Sequence, residues 1–180
     1  VALAWATTRP DNIAALVTTA AASQVWEGGI DPLYRVTGTR LGGATVVPLI
    51  TAFVSDERVE TAVEGIFAPQ SAPAGYADYV GAGLSLRRET LRVNGRERRT
   101  LKDEIRQMVP NYPQIAVPTE IIHGDADTTV TVQIHSGPLS QQIPDANLTV
   151  LPGIGHMPHH ADPGAVATAI DRAATRAGLR

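Results

Sequence analysis

The sequence predicts an α/β protein: strands of a parallel sheet flanked by helices, with an all-helical segment inserted between two strands. Three observations carry this expectation. After Pro118, residues 119–123, 131–142, 148–151 and 163–177 alternate between strand-like and helix-like patterns, the rhythm of parallel strands joined by right-handed crossovers. Residues 13–19 form a nearly continuous apolar run, as in a strand covered on both faces. Between residues 23 and 111, glycines and prolines punctuate several helical patterns and no alternating strand pattern stands out.

Each element has a local reason. Residues 1–9 read as the end of a helix stopped by Pro10 and a Pro-Asp-Asn turn. Residues 56–67 are the clearest helix: Ser55 is a candidate N-cap, Asp56 and Glu57 lie in the first turn, and Val59, Ala62, Val63, Ile66 and Phe67 form one stripe. Tyr76, Val80 and Leu84 suggest another helix. A further one follows Thr100, with Leu101, Ile105, Met108 and Val109 at helical spacing and Pro110 as the stop. Residues 131–142 read as a helix that Gly137-Pro138 kinks or divides. Asp162-Pro163 is a helix start, with Val166, Ala169, Ile170, Ala173 and Ala177 on its apolar face and Gly178 at its end. The organisation expected is a core of residues 1–22 and 114–180 with a helical insertion over 23–113.

Composition sets the bounds. At 180 residues and roughly 150 per domain, the chain is one domain with an insertion. Fifteen basic against 18 acidic side chains give a net charge of −3, which argues against a general nucleic-acid binder. Apolar residues make up 43%, enough for a core. Cysteine is absent, which removes disulfides, thiolate metal sites and cysteine nucleophiles and fits a reducing, cytoplasmic setting. The longest apolar run, residues 46–54, contains Pro48 and Thr51 and falls far short of the about 20 residues of a membrane span. A soluble protein with no membrane association is expected. The apolar opening Val1-Ala2-Leu3-Ala4-Trp5-Ala6 has no cap before it, as though the chain were cut inside a helix. A signal peptide would need a basic leader, and only Arg9 is there, followed by Pro10 and Asp11.

In a parallel sheet, ligands bind beyond the carboxyl ends of the strands. Two loops hold that position: His123-Gly124-Asp125-Ala126-Asp127 and Pro152-Gly153-Ile154-Gly155-His156. If their strands are neighbours, about 4.8 Å apart, a carboxylate from the first reaches an imidazole from the second. Such a pair fixes a histidine tautomer and stabilises the imidazolium formed on proton uptake. Asp125 competes with Asp127 for the acid role, and His159 and His160 compete with His156.

The segment Val117-Pro118-Thr119-Glu120-Ile121-Ile122-His123-Gly124-Asp125-Ala126-Asp127 resembles the acid-bearing segment of α/β-hydrolases. Leu148-Thr149-Val150-Leu151-Pro152-Gly153-Ile154-Gly155-His156-Met157-Pro158-His159-His160 is similar to the histidine loop of the same family. The order, acid then histidine after an upstream nucleophile, is the family's order. The resemblance implies a partial α/β-hydrolase fold, with residues 1–22 as the helix and strand after the nucleophile elbow and 23–113 as a helical cap. It implies Asp127 as the triad acid and His156 as the base. It also implies turnover of an ester, thioester or lactone in the intact protein, with a small apolar substrate and no cofactor or metal. An aspartate nucleophile would shift the substrate to an epoxide or haloalkane.

The chain departs from the family at one point. No G-x-S-x-G occurs, and Ser23, Ser55, Ser71, Ser85, Ser136 and Ser140 all lack that context. The expectation is therefore that the nucleophile and oxyanion-hole donors lie upstream of Val1, and that the 180 residues alone are inactive and need the missing half or self-association. A non-catalytic binding remnant is the other reading.

The remaining motifs read more plainly. His156, His159 and His160 have the spacing of a helix face that could hold a metal, but Pro158 argues against a helix there. Asp125, Asp127 and Thr129 imitate a calcium loop that then fails at Val130 and Ser136. Residues 87–106 hold eight basic side chains interleaved with Glu89, Glu97, Asp103 and Glu104, read as a solvated surface. Tyr34, Tyr76, Tyr79 and Tyr112 are read as packing residues.

Overall fold

A computed structural model describes residues 1–29 and 31–180, with Asp56 described by its backbone alone. The chain opens with α1 (Ala2–Thr8), a 3-10 turn (Pro10–Asn12) and β1 (Leu16–Thr19). Five helices follow: α2 (Pro32–Thr37), α3 (Arg40–Phe53), α4 (Asp56–Phe67), α5 (Tyr76–Tyr79) and α6 (Arg88–Met108). A 3-10 segment (Ala82–Leu86) separates α5 from α6, and a third (Val109–Gln114) leads to β2 (Thr119–Gly124), α7 (Ser136–Gln142), β3 (Ala146–Leu151), α8 (Pro158–Ala161) and α9 (Pro163–Arg176). These form two compact units: Val1–Val25, Ile66–Gln70 and Ile105–Arg180 make one, and Trp26–Gly65 with Ser71–Glu104 make the other.

The first unit is built on a parallel sheet in the order β1-β2-β3, with Leu16 opposite Thr119 and Thr119 opposite Ala146. On one face, Leu16, Ile121 and Leu148 join Leu3, Ala6, Tyr112, Ile115, Leu139 and Ile143 in the larger apolar cluster. On the other, Ile122 and Leu151 pack against Ala165, Val166 and Ala169 of α9. Alternate side chains of each strand point to opposite faces, so one short strand serves both clusters. All six residues of β2 are buried, as a central strand covered on both sides requires.

One charged residue interrupts this core. Glu120 is fully buried, and α9 answers it with two arginines one turn apart. Arg172 Nη2 donates to Oε2 at 2.8 Å, Arg176 Nη1 donates to Oε1 at 2.6 Å, and Asn147 Nδ2 donates to Oε1 at 3.0 Å. Burial pushes the Glu120 carboxyl up, but the hydrogen bonds from Arg172, Asn147 and Arg176 outweigh it and hold the group below the usual carboxylate range.

The expected start of α9 is observed: the Asp162 carboxylate accepts from Ala165 N, Pro163 takes the first helical position, and Gly178 closes the end at φ +70°. Other boundaries differ for identifiable reasons. β1 begins at Leu16 rather than residue 13, because the Pro10–Asn12 turn precedes it and pairing starts with Leu16 N donating to Pro118 O. β3 begins at Ala146, two residues early. Residues 132–135 form turns, and Gly137-Pro138 sits in the first turn of α7, where proline costs no hydrogen bond. Pro158 likewise opens α8 instead of preventing a helix. The 76–84 pattern is broken by Gly81 at φ +63° into α5 and a 3-10 segment.

The largest difference is α6, which starts at Arg88 and not after Thr100. Its inner face carries Leu91 and Gly95, and a Cβ at Gly95 would lie 2.5 Å from Gly38 N. Backbone fills the position where periodicity looks for a large apolar side chain. In this helical unit Thr37, Val47 and Leu91 are buried. Among the described residues, no helix is long and apolar enough to cross a membrane.

Candidate active site

The loops after β2 and β3 are stitched together beyond the ends of their strands. Asp125 N donates to Leu151 O at 3.1 Å and Ala126 N to Ile154 O at 3.0 Å. Gly124 permits this approach, since a Cβ there would collide with the Ile154 carbonyl. Gly153, at φ +70°, turns the second loop back, and its amide donates to Asp125 Oδ1 at 2.6 Å. Gln70 grips the same loop with both ends of its amide. Its Nε2 donates to Gly153 O at 2.8 Å, and its Oε1 accepts from Gly155 N at 3.0 Å.

Asp127 is held by its own turn. Its Oδ1 accepts from Thr129 N at 2.8 Å and Val130 N at 2.9 Å, the local closure that aspartate favours. The other oxygen, Oδ2, lies 2.8 Å from His156 Nδ1. The Asp127 side chain is fully buried, whereas that of His156 is 23% exposed. Facing a carboxylate, Nδ1 of His156 carries the proton, so in the neutral ring Nε2 has the free lone pair. The arrangement joins a shielded acid to an accessible imidazole that can take up a proton and be stabilised while it holds it.

The structure thus brings Asp127 and His156 together and sends Asp125 to the Gly153 amide. His159 and His160 stack on each other with ring centroids 4.5 Å apart, and His160 also meets Phe67 at 5.3 Å. Burial, then the neighbouring His160 and His156, lower the pKa of His159. Among the described residues, no group of three or more His, Cys, Asp or Glu is placed to hold a metal ion.

The sequence reading passed over Gln70, His123 and His135. His123, the last side chain of β2, is fully buried. Its Nε2 lies 2.6 Å from Val130 O and 3.1 Å from Asp127 Oδ2, and its Nδ1 lies 2.6 Å from Ser136 Oγ. The carbonyl requires a proton on Nε2, so the Ser136 hydroxyl donates to Nδ1. An imidazole ending a strand of apolar side chains was the available signal. Nearby, His135 Nδ1 accepts from Ser23 N at 3.2 Å and Gln24 N at 3.1 Å, and Tyr112 OH donates to Ser23 O at 2.8 Å. Burial, then the adjacent His123, lower the pKa of His135. Tyr112 therefore belongs to the sheet unit.

No family model matches the sequence, and no curated protein matches it. Solved structures do match in three dimensions. A hydrolase from Pseudomonas aeruginosa is 18% identical with a TM-score of 0.67, over 96% of this chain and 59% of that one. An esterase from Exiguobacterium antarcticum is 18% identical with a TM-score of 0.61, over 96% and 62%. The enol-lactonase from Burkholderia xenovorans is 17% identical with a TM-score of 0.57, over 94% and 60%. The chain spans less than two thirds of the length of each. Over that span it has the α/β-hydrolase fold.

Proposed function

We propose that this chain supplies the acid and the base of a nucleophile–His–Asp triad in a hydrolase acting on an ester, thioester or lactone. One observation carries the reading: the 2.8 Å approach of His156 Nδ1 to a buried Asp127 oxygen, at the carboxyl ends of neighbouring parallel strands. In this reading His156 Nε2 removes the proton of a serine supplied from outside residues 1–180. The serine oxygen attacks the carbonyl carbon, and His156 then delivers the proton to the leaving group. The acyl-enzyme is hydrolysed by a water that passes its proton to the same nitrogen. Asp127 keeps its negative charge throughout and holds the ring. With no elbow sequence among its 180 residues, the chain by itself turns over no ester.

The test is the chain joined to the sequence encoded upstream of it. A fluorophosphonate should label that protein on an upstream serine, and His156→Ala and Asp127→Asn should each lower ester turnover by orders of magnitude. Turnover close to the parent's in either variant overturns the assignment. Absence of labelling, combined with turnover of an epoxide or haloalkane, replaces serine with aspartate.

A further inference from the structure

The basic run on α6 is not one uniform charged surface. Arg98 lies over the Tyr34 ring, 5.4 Å from its centroid, and Lys102 lies 5.5 Å from the Trp26 ring centroid and donates to Gly28 O at 2.9 Å. Arg92, Arg96 and Arg99 take another direction. Spaced i, i+4 and i+7, they share one helix face and line a cleft of about 800 Å³ together with Arg40 at the start of α3. Among the described residues, no carboxylate lines this cleft. All four arginines belong to the helical unit.

The cleft is built by backbone contact. A Cβ on Gly38 would collide with the Gly95 carbonyl, and one on Gly95 would lie 2.6 Å from Thr37 Oγ1. The corner between α2 and α3 therefore presses directly on α6. Thr39 caps α3, its hydroxyl accepting from Gly42 N at 2.9 Å, so the positive end of that helix opens among the arginines. Among the described residues, two guanidiniums are each tethered at one nitrogen. Arg92 Nε donates to Gly43 O at 2.8 Å, and Arg99 Nη1 donates to Gly38 O at 3.0 Å. Each is held in place with further N–H groups still available. Four guanidiniums border a space of the size that takes small molecules, and an anion seated there would face all four.

We propose that this cleft binds an anion carrying two linked phosphoryl groups, either free diphosphate or a diphosphate ester. Planar guanidinium forks match phosphate oxygens two at a time, and four forks suit two such groups. The site stands on residues remote in sequence from Asp127 and His156, and it does not rest on the hydrolase reading.

The experiment is calorimetric titration of the chain with inorganic pyrophosphate, with orthophosphate and ADP as comparison ligands. One pyrophosphate should bind per chain, more tightly than orthophosphate and more weakly as salt is raised. Arg40→Gln and Arg96→Gln, both at exposed positions, should each weaken binding about tenfold or more, and Arg58→Gln on α4 should leave it unchanged. ADP binding as tightly as pyrophosphate would identify the diphosphate as the whole determinant, and tighter binding would show that an ester group is also held; either supports the site. No saturable pyrophosphate binding, or binding that Arg40→Gln and Arg96→Gln leave intact in chains with parental thermal melts, overturns it.

Discussion

Nε2 of His123 lies 3.1 Å from the same Asp127 oxygen that meets His156. That oxygen faces two imidazoles, one buried and one partly exposed, while its twin takes two backbone amides. A carboxylate restrained on both oxygens cannot swing away from His156, so His123 with Ser136 acts as a positioning support. His123→Ala should destabilise the chain by about 1–3 kcal/mol, since it strands a buried carbonyl and a hydroxyl. Ser136→Ala should act through the same ring. Urea denaturation of both single variants and the double variant should give a coupling energy of about 0.5 kcal/mol or more; additive losses would show that the two side chains are independent.

Acid and alkaline limits should have separate sources. His135 has a folded pKa below its ordinary value, from burial and then from His123. Its contribution is therefore complete above about pH 6.5 and is lost as the pH falls through the lower folded value. His135→Gln, which keeps an acceptor for the Ser23 and Gln24 amides, should flatten that slope in denaturation midpoints. On the other side, burial pushes the Tyr112 hydroxyl up to about 12. Its contribution holds below about pH 10 and is lost as the pH rises toward 12. Spectrophotometric titration should show one tyrosine ionising last, and Tyr112→Phe should remove that step.

Gly124→Ala tests the seam between the two loops. The added methyl meets the Ile154 carbonyl, and backbone cannot step aside as a flexible side chain would. We expect a loss of about 1–3 kcal/mol or more and a weakened Asp127–His156 contact, read as a shift of the His156 ring resonances. An unchanged melt and spectrum would show that the loops have slack.

β1 is one of the two end strands of the sheet, and among the described residues only β2 pairs with it. An open parallel edge invites pairing with another chain. The 180-residue chain should self-associate in sedimentation velocity. A single monomeric boundary at all concentrations would contradict this.

The parallel sheet was legible in the sequence because strand-forming runs and turn residues coincide after Pro118, and the helix after Asp162-Pro163 was announced by its cap, its apolar face and Gly178. The acid and histidine loops were legible for the same reason: each directly follows a strand. What escaped has a common cause. The first half of α6 hides its buried side behind Gly95, Gln70 reaches its loop from 83 residues away, and His123 looks like the last letter of a strand. Long-range pairing and backbone-to-backbone approach leave no periodic trace.

The two-arginine answer to Glu120 has a consequence for the life of the polypeptide. Both counterions lie one turn apart on α9, so cutting the chain before Arg172 would leave the buried carboxylate with the Asn147 amide but without either arginine. Removing the partners of a buried charge is severely destabilising. A molecule cut there would therefore unfold as a whole rather than lose one helix, which makes the Arg172–Arg176 turn of α9 a lock on the sheet it covers.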